Sequence, residues 1–188
     1  MIPAKEALTR LREGNRRFVE SQQGPRARPS TSQQPFAIIL GCSDARVPAE
    51  LVFDQGFGDL FVIRVAGNIV APSQVGSVEF AAELFNIRLA VVLGHTQCGA
   101  VTATIQALRQ PAGTQSPSLH AIVDRIRPAV EPLVVAGARS DADLIAPAVR
   151  ANVHASVEQL RHGSTLLERR IERDGMLVVG AGDRLETG

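Results

Sequence analysis

Two short stretches concentrate the residues of this chain that can do chemistry: Cys42-Ser43-Asp44-Ala45-Arg46 and His95-Thr96-Gln97-Cys98. Together they hold both cysteines, one of the four histidines, and an acid and a base two residues apart. Two thiolates and a neutral imidazole make a zinc ligand set, and three protein ligands leave the fourth tetrahedral position to water or to a labile carboxylate. That is the layout of a catalytic site rather than a closed structural one. A lone buried cysteine is most often a small core hydrophobe. Two clusters that each carry a flanking glycine, Gly41 and Gly99, and that each follow an apolar run, argue against that plain reading for these residues.

The elements that must position them can be read from periodicity. Residues 36–40 (FAIIL) and 88–94 (RLAVVLG) are short continuous apolar runs, suited to strands buried on both faces, and they lead directly into the two clusters. Similar runs recur at 60–65 and 176–181. Between them, residues 73–86 place Val75, Val78, Ala82 and Phe85 on one helical face, and residues 98–109 continue in the same manner. Strands alternating with helices predict an α/β fold, with a mostly parallel central sheet of about four strands flanked by α-helices. In such a sheet ligands bind beyond the carboxyl ends of the strands. If the two strands are neighbours, Cys42, Asp44, His95 and Cys98 converge on one pocket.

The remaining segments frame this core. Residues 3–19 read as an amphipathic helix with a narrow stripe of Leu8, Leu11 and Phe18, followed by an extended connector at 21–35 rich in Gly, Pro, Ser and Gln. Prolines at 111, 117, 128 and 132 predict short, broken helices between 111 and 140. A longer helix follows, striped by Val149, Val153, Val157 and Leu160 and ended by Gly163. A capping box at Thr165-Leu166-Leu167-Glu168 then starts one more. The expected organisation is a single domain over 1–188, with an N-terminal helix and arm at 1–35.

Composition narrows the function classes. A net charge of +1, with basic residues scattered singly, offers no footprint for nucleic acid or an acidic membrane surface. There is no apolar signal core and no uncharged run long enough to span a bilayer, so the expected location is the cytoplasm. A reducing cytosol favours a metal or catalytic role for the two cysteines over a disulfide. His120, His154 and His162 fall in mostly polar helical surroundings and read as surface or capping residues, with His154 able at most to pass protons weakly. Gln55-Gly56-Phe57-Gly58 and Gly180-Ala181-Gly182 lack the third glycine and acidic partner of a dinucleotide fingerprint and read as turns.

The pairing of Cys-x-Asp-x-Arg with His-x-x-Cys resembles the β-class carbonic anhydrases, and LFVIRVAGN, GSVEFA, GHTQCGA and VVGAGDRLETG extend the likeness over most of the chain. The resemblance implies one Zn2+ per chain held by Cys42, His95 and Cys98, a charged dyad of Asp44 and Arg46, and hydration of carbon dioxide to bicarbonate. It also implies a homodimer or dimer of dimers, which the long connector and the narrow-striped first helix favour independently. Asp44 has two available partners, so a closed state with Asp44 on the metal should alternate with an open state in which it rests on Arg46. Backbone N–H groups at the helix start near Gly99 are expected to position the substrate. Some members are regulated by bicarbonate in a pocket built from a Trp, an Arg and a C-terminal Tyr. The matching places here are Ile39, Arg64 and Gly180–Gly182, so no such pocket is expected. Three other readings stay open: hydrolysis of COS or CS2 on the same fold, a cysteine hydrolase in which His95 activates a thiol, and a non-catalytic zinc-stabilised binding protein.

Overall fold

The computed structural model describes residue 2 and residues 4–21, 32–110, 116–137 and 140–187. They fall into two compact units, Met1–Gln33 and Gln34–Gly188. The first contains the helix α1 (Ala4–Ser21), in which Leu8 and Leu11 are exposed and Glu6 pairs with Arg10 one turn later at 2.8 Å. Most of the connector expected at 21–35 lies outside the described residues, as does Pro111.

The second unit is an α/β fold around a four-stranded parallel sheet. Its strands are β1 (Ala37–Gly41), β2 (Leu60–Arg64), β3 (Leu89–His95) and β4 (Leu177–Asp183), in the order β2-β1-β3-β4. Each of β1, β3 and β4 begins one residue later than its apolar run. Phe36 is exposed and bonds back to Asp59 O, whereas Gly41 joins the ladder opposite Arg64 and Leu93. The pleat divides the central strands by parity. Ile38, Leu40, Ala90 and Val92 face one way, into a core closed by α3 (Pro72–Leu84), α6 (Asp141–His162) and α7 (Thr165–Asp174). Ala37, Ile39, Val91 and Leu93 face the other way, against the short helix α2 (Ala49–Val52) and Phe53. A third cluster joins α4 (Gly99–Arg109), α5 (Pro117–Val135) and α6 at the carboxyl end of the strands, and it includes Cys42 and Cys98.

Three local expectations are corrected. Gly180-Ala181-Gly182, read from sequence as a turn, lies inside β4, where the ladder pairs it with Val92, Leu93 and Gly94. The proline-rich stretch is not broken, because α5 runs unbroken for 19 residues with Pro128 and Pro132 inside it. These prolines and Asp124 are exposed, so the carbonyls freed at Asp124 and Pro128 can turn to water. Val123, Ile126 and Val130 keep the buried stripe intact. The cap of α7 is Ser164 rather than Thr165: its hydroxyl accepts from Leu167 N at 3.2 Å and donates to Glu79 of α3. The α6 stripe of Val149, Val157 and Leu160 is buried as expected, with Val153 partly so. No described helix is long and apolar enough to cross a membrane.

Candidate metal centre

Because β1 and β3 are hydrogen-bonded neighbours, the segments that follow them leave the sheet side by side. Cys42, His95 and Cys98 meet there, all buried, with one donor atom from each within 4.8 Å of the others. Among the described residues, this is the group of metal-binding side chains so arranged. His120, His154 and His162 are exposed and stand apart from it.

Each of the three side chains is presented by a different local device. Cys42 follows the last ladder residue of β1, and its sulfur accepts the Gly67 N–H at 3.3 Å. His95 is the last residue of β3, opposite Asp183 of β4, and the ladder continues one step further through Thr96 N to Asp183 O at 3.0 Å. Cys98 is the N-cap residue of α4. No capping hydrogen bond reaches its sulfur, but the N–H groups of Ala100 and Val101 at that helix start lie on the side that favours the thiolate. Gln97 bridges the two β3-side ligands in the left-handed region, at φ 57.

The imidazole has a defined polarity. Nδ1 lies 2.8 Å from the Thr96 carbonyl and donates to it, so in the neutral ring Nε2 is the unprotonated nitrogen. Nε2 is buried and has no hydrogen-bond partner of normal geometry, although the Cys42 sulfur is near enough to raise the proton affinity of the ring. A buried lone pair without a partner, facing two sulfurs, is what a bound cation would complete. The two sulfurs also act on each other. Cys98 pulls the Cys42 thiol well below its ordinary value against the opposing effect of burial. The Cys42 sulfur, reinforced by burial, pushes Cys98 up.

Asp44 sits beside this group and is held by Arg46. The backbone N–H and Nε of Arg46 donate to Oδ1 at 3.0 and 2.9 Å, and Nη2 donates to Oδ2 at 2.7 Å. These side-chain bonds first, then the backbone one, hold the carboxyl far below the usual carboxylate range. Asp44 Oδ2 is 3.8 Å from His95 Nε2, so the carboxylate borders the ligand group while its bonds go to arginine. Gly99, expected near the substrate, is the first residue of α4, with open space beside its Cα.

Several supporting residues escape sequence reading. Arg64, at the end of β2, donates through Nε to Cys42 O at 2.9 Å and through Nη2 to Asp44 O, pinning the first loop. Gln97 Nε2 bonds Glu186 at 2.9 Å, and Leu185 N bonds Thr96 Oγ1 at 3.1 Å, pinning the second. Asn152 and Ser156, both buried on α6, bond the carbonyls of Gly67 and Asn68 at 2.8 and 3.1 Å. Their one sequence signal is two polar residues four apart, set among the apolar positions of a helix.

Residues 37–188 match the family model described as carbonic anhydrase. The chain is 37% identical over 188 residues to carbonic anhydrase 2 of Mycobacterium tuberculosis, covering 95% of this chain and 87% of that protein. It is 36% identical to a carbonic anhydrase of Mycolicibacterium smegmatis, with the same coverage. Its backbone is similar to one of two tetrameric β-carbonic anhydrases from Sordaria macrospora, with a TM-score of 0.82, 19% identity, and coverage of 96% of this chain and 93% of that one.

Proposed function

Because the chain belongs to the β-carbonic anhydrase family, we propose that it interconverts carbon dioxide and bicarbonate, with one zinc ion per chain held by Cys42, His95 and Cys98. The observation that carries this reading is the buried Cys42–His95–Cys98 group, with its partnerless Nε2. Two sulfurs and an imidazole nitrogen are a donor set that suits zinc and leaves one position open. Zinc bound there supplies a Lewis acid that makes hydroxide available near neutral pH, as the nucleophile for the carbon of CO2.

The chain's own groups do the rest. Asp44, ionised by its contacts with Arg46, accepts a hydrogen bond from the nucleophile and orients its lone pair toward the substrate. Arg46 keeps that carboxylate directed away from the ligand group through a charge-assisted, two-point contact. The Gly67 N–H on the Cys42 sulfur favours the thiolate form that binds metal. The open space beside Gly99 leaves room for substrate at the helix start.

The decisive experiment is elemental analysis of the purified protein together with stopped-flow CO2 hydration. One zinc per chain and turnover are expected, and Cys98→Ser should lose both metal and thermal stability. Full zinc occupancy in that variant contradicts the ligand assignment. Turnover of COS or CS2 in preference to CO2 would move the activity to those substrates.

The same reading extends to the assembly. Apolar side chains exposed on α1 (Leu8, Leu11) and in the second unit (Leu51, Leu84) favour a homodimer or a dimer of dimers, with residues 1–188 serving one domain. The Sordaria relatives are described as tetrameric. A cytoplasmic location is consistent with the lack of a long apolar helix among the described residues.

A further inference from the structure

The turn after β2 is unusual in its backbone. Gly67 and Asn68 are successive residues with positive φ, at 70 and 44. Glycine adopts this region freely, whereas asparagine pays strain there unless its surroundings hold it. The turn is also where the Cys42 sulfur finds its N–H donor, Gly67. What fixes the turn does not come from its own side chains, because the Asn68 Nδ2 is buried with no partner. It comes from one helix. Asn152 Nδ2 donates to Gly67 O at 2.8 Å, and Ser156 Oγ donates to Asn68 O at 3.1 Å. Asn152 and Ser156 are one turn apart on α6, each 2% exposed, and neither lies near the ligands in sequence.

We propose that Asn152 and Ser156 are positioning residues for the metal centre: they lock the Gly67–Asn68 turn so that the Gly67 N–H stays directed at the Cys42 sulfur. This rests on the reading of Cys42 as a metal ligand. The N–H on the sulfur favours the thiolate and restrains its direction, and loss of such outer support typically weakens metal binding by about tenfold to a hundredfold. An α6 with apolar residues at both places would fill the same space and leave two buried carbonyls unpaired and the turn free to relax.

The test uses the full chain and zinc in competition with a chromophoric chelator, followed by the absorption of the cobalt-substituted protein. Asn152→Leu, which keeps bulk and removes the donor, is expected to weaken zinc binding by at least about tenfold. It should also shift the sulfur-to-cobalt charge-transfer band to longer wavelength, because a sulfur without its N–H gives up electron density more readily. Ser156→Ala should act in the same direction and Ser156→Thr should restore the wild-type band. A merely structural role would lower thermal stability and leave the band in place, and that outcome overturns the proposal. Zinc affinities within twofold of wild type in both Asn152→Leu and Ser156→Ala overturn it as well. Should Asn152→Leu fail to fold, the cadmium-substituted wild type decides: scalar coupling between the Gly67 amide proton and cadmium is expected, and its absence overturns the proposal. Failure of the wild-type chain to bind zinc, cobalt or cadmium at all would instead refute the metal-centre reading itself.

Discussion

Both oxygens of the Asp44 carboxylate are taken by Arg46, while Oδ2 stands 3.8 Å from His95 Nε2. Without Arg46 the charge has one attractive place left, the metal proposed for the neighbouring group. Arg46→Ala is therefore expected to keep its zinc and lose about a hundredfold or more in turnover, the order of a lost acid–base contribution. The pH dependence follows from the direction of the Asp44 shift. Its folded pKa is depressed, so the stability it contributes is complete above the ordinary carboxylate value of about 4 and is lost only as pH falls through the lower folded value. Asp44 is ionised throughout the neutral range and imposes no titration there. The supply of hydroxide sets the profile instead. With two thiolate ligands offsetting the metal's charge, wild-type activity should climb at pH values above about 7. In Arg46→Ala, hydroxide must displace Asp44, so the deficit should widen as pH falls. Stopped-flow hydration across mildly acidic to alkaline pH measures both, and a flat wild-type profile removes the dyad from the mechanism. Cysteine, histidine and the Asp–Arg pair are legible in sequence because few residue types bind metal and their spacing is tight. Arg64 is not, because it works on the carbonyls of Cys42 and Asp44, and a carbonyl has no sequence identity.

The turn between β2 and α3 illustrates what an element demands of one residue. A Cβ on Gly67 would sit 2.7 Å from Ile126 Cδ1 of α5 and 2.9 Å from Ala100 Cβ of α4, on a backbone at φ 70. Overpacking costs about 1–3 kcal/mol and a left-handed non-glycine residue about 1–2 more. Gly67→Ala should thus lose roughly 2–5 kcal/mol by denaturant unfolding, with weakened metal binding because the N–H on Cys42 moves. Wild-type stability in that variant would mean that α4 and α5 give way more easily than their packing suggests. The pairing of β1 with β3 entered the sequence reading only as a condition, but the strands themselves were readable from continuous apolar runs, since a strand covered on both faces has few polar positions. Helix α5 was not, because proline's local penalty outweighs the apolar stripe until tertiary burial of Val123, Ile126 and Val130 is counted. The α7 cap shifted by one residue for a similar reason: Ser164 gains Glu79 of α3 as a second partner, which the local pattern cannot reveal.

At the scale of the molecule, the proposed assembly rests on apolar side chains exposed in each unit, Leu8 and Leu11 on α1 and Leu51 and Leu84 in the second. Deleting residues 1–30 is expected to give poorly soluble protein of altered oligomeric state, as light scattering would show. A soluble, fully active monomer would contradict the proposed assembly. The strand order β2-β1-β3-β4 has a further consequence, in time rather than in space. Cys42 is brought to His95 and Cys98 by the pairing of β1 with β3, yet all of β2 and α3 lies between them along the chain. Pairing across so much intervening chain is entropically costly and slow compared with forming local helices. Cation capture at full affinity should therefore be among the last events of refolding. When denatured protein is diluted into buffer containing cobalt, the sulfur-to-cobalt absorption should grow with the slowest phase, after most of the helical circular dichroism has returned. An absorption that precedes the circular dichroism would mean that the ion gathers its ligands before the sheet does.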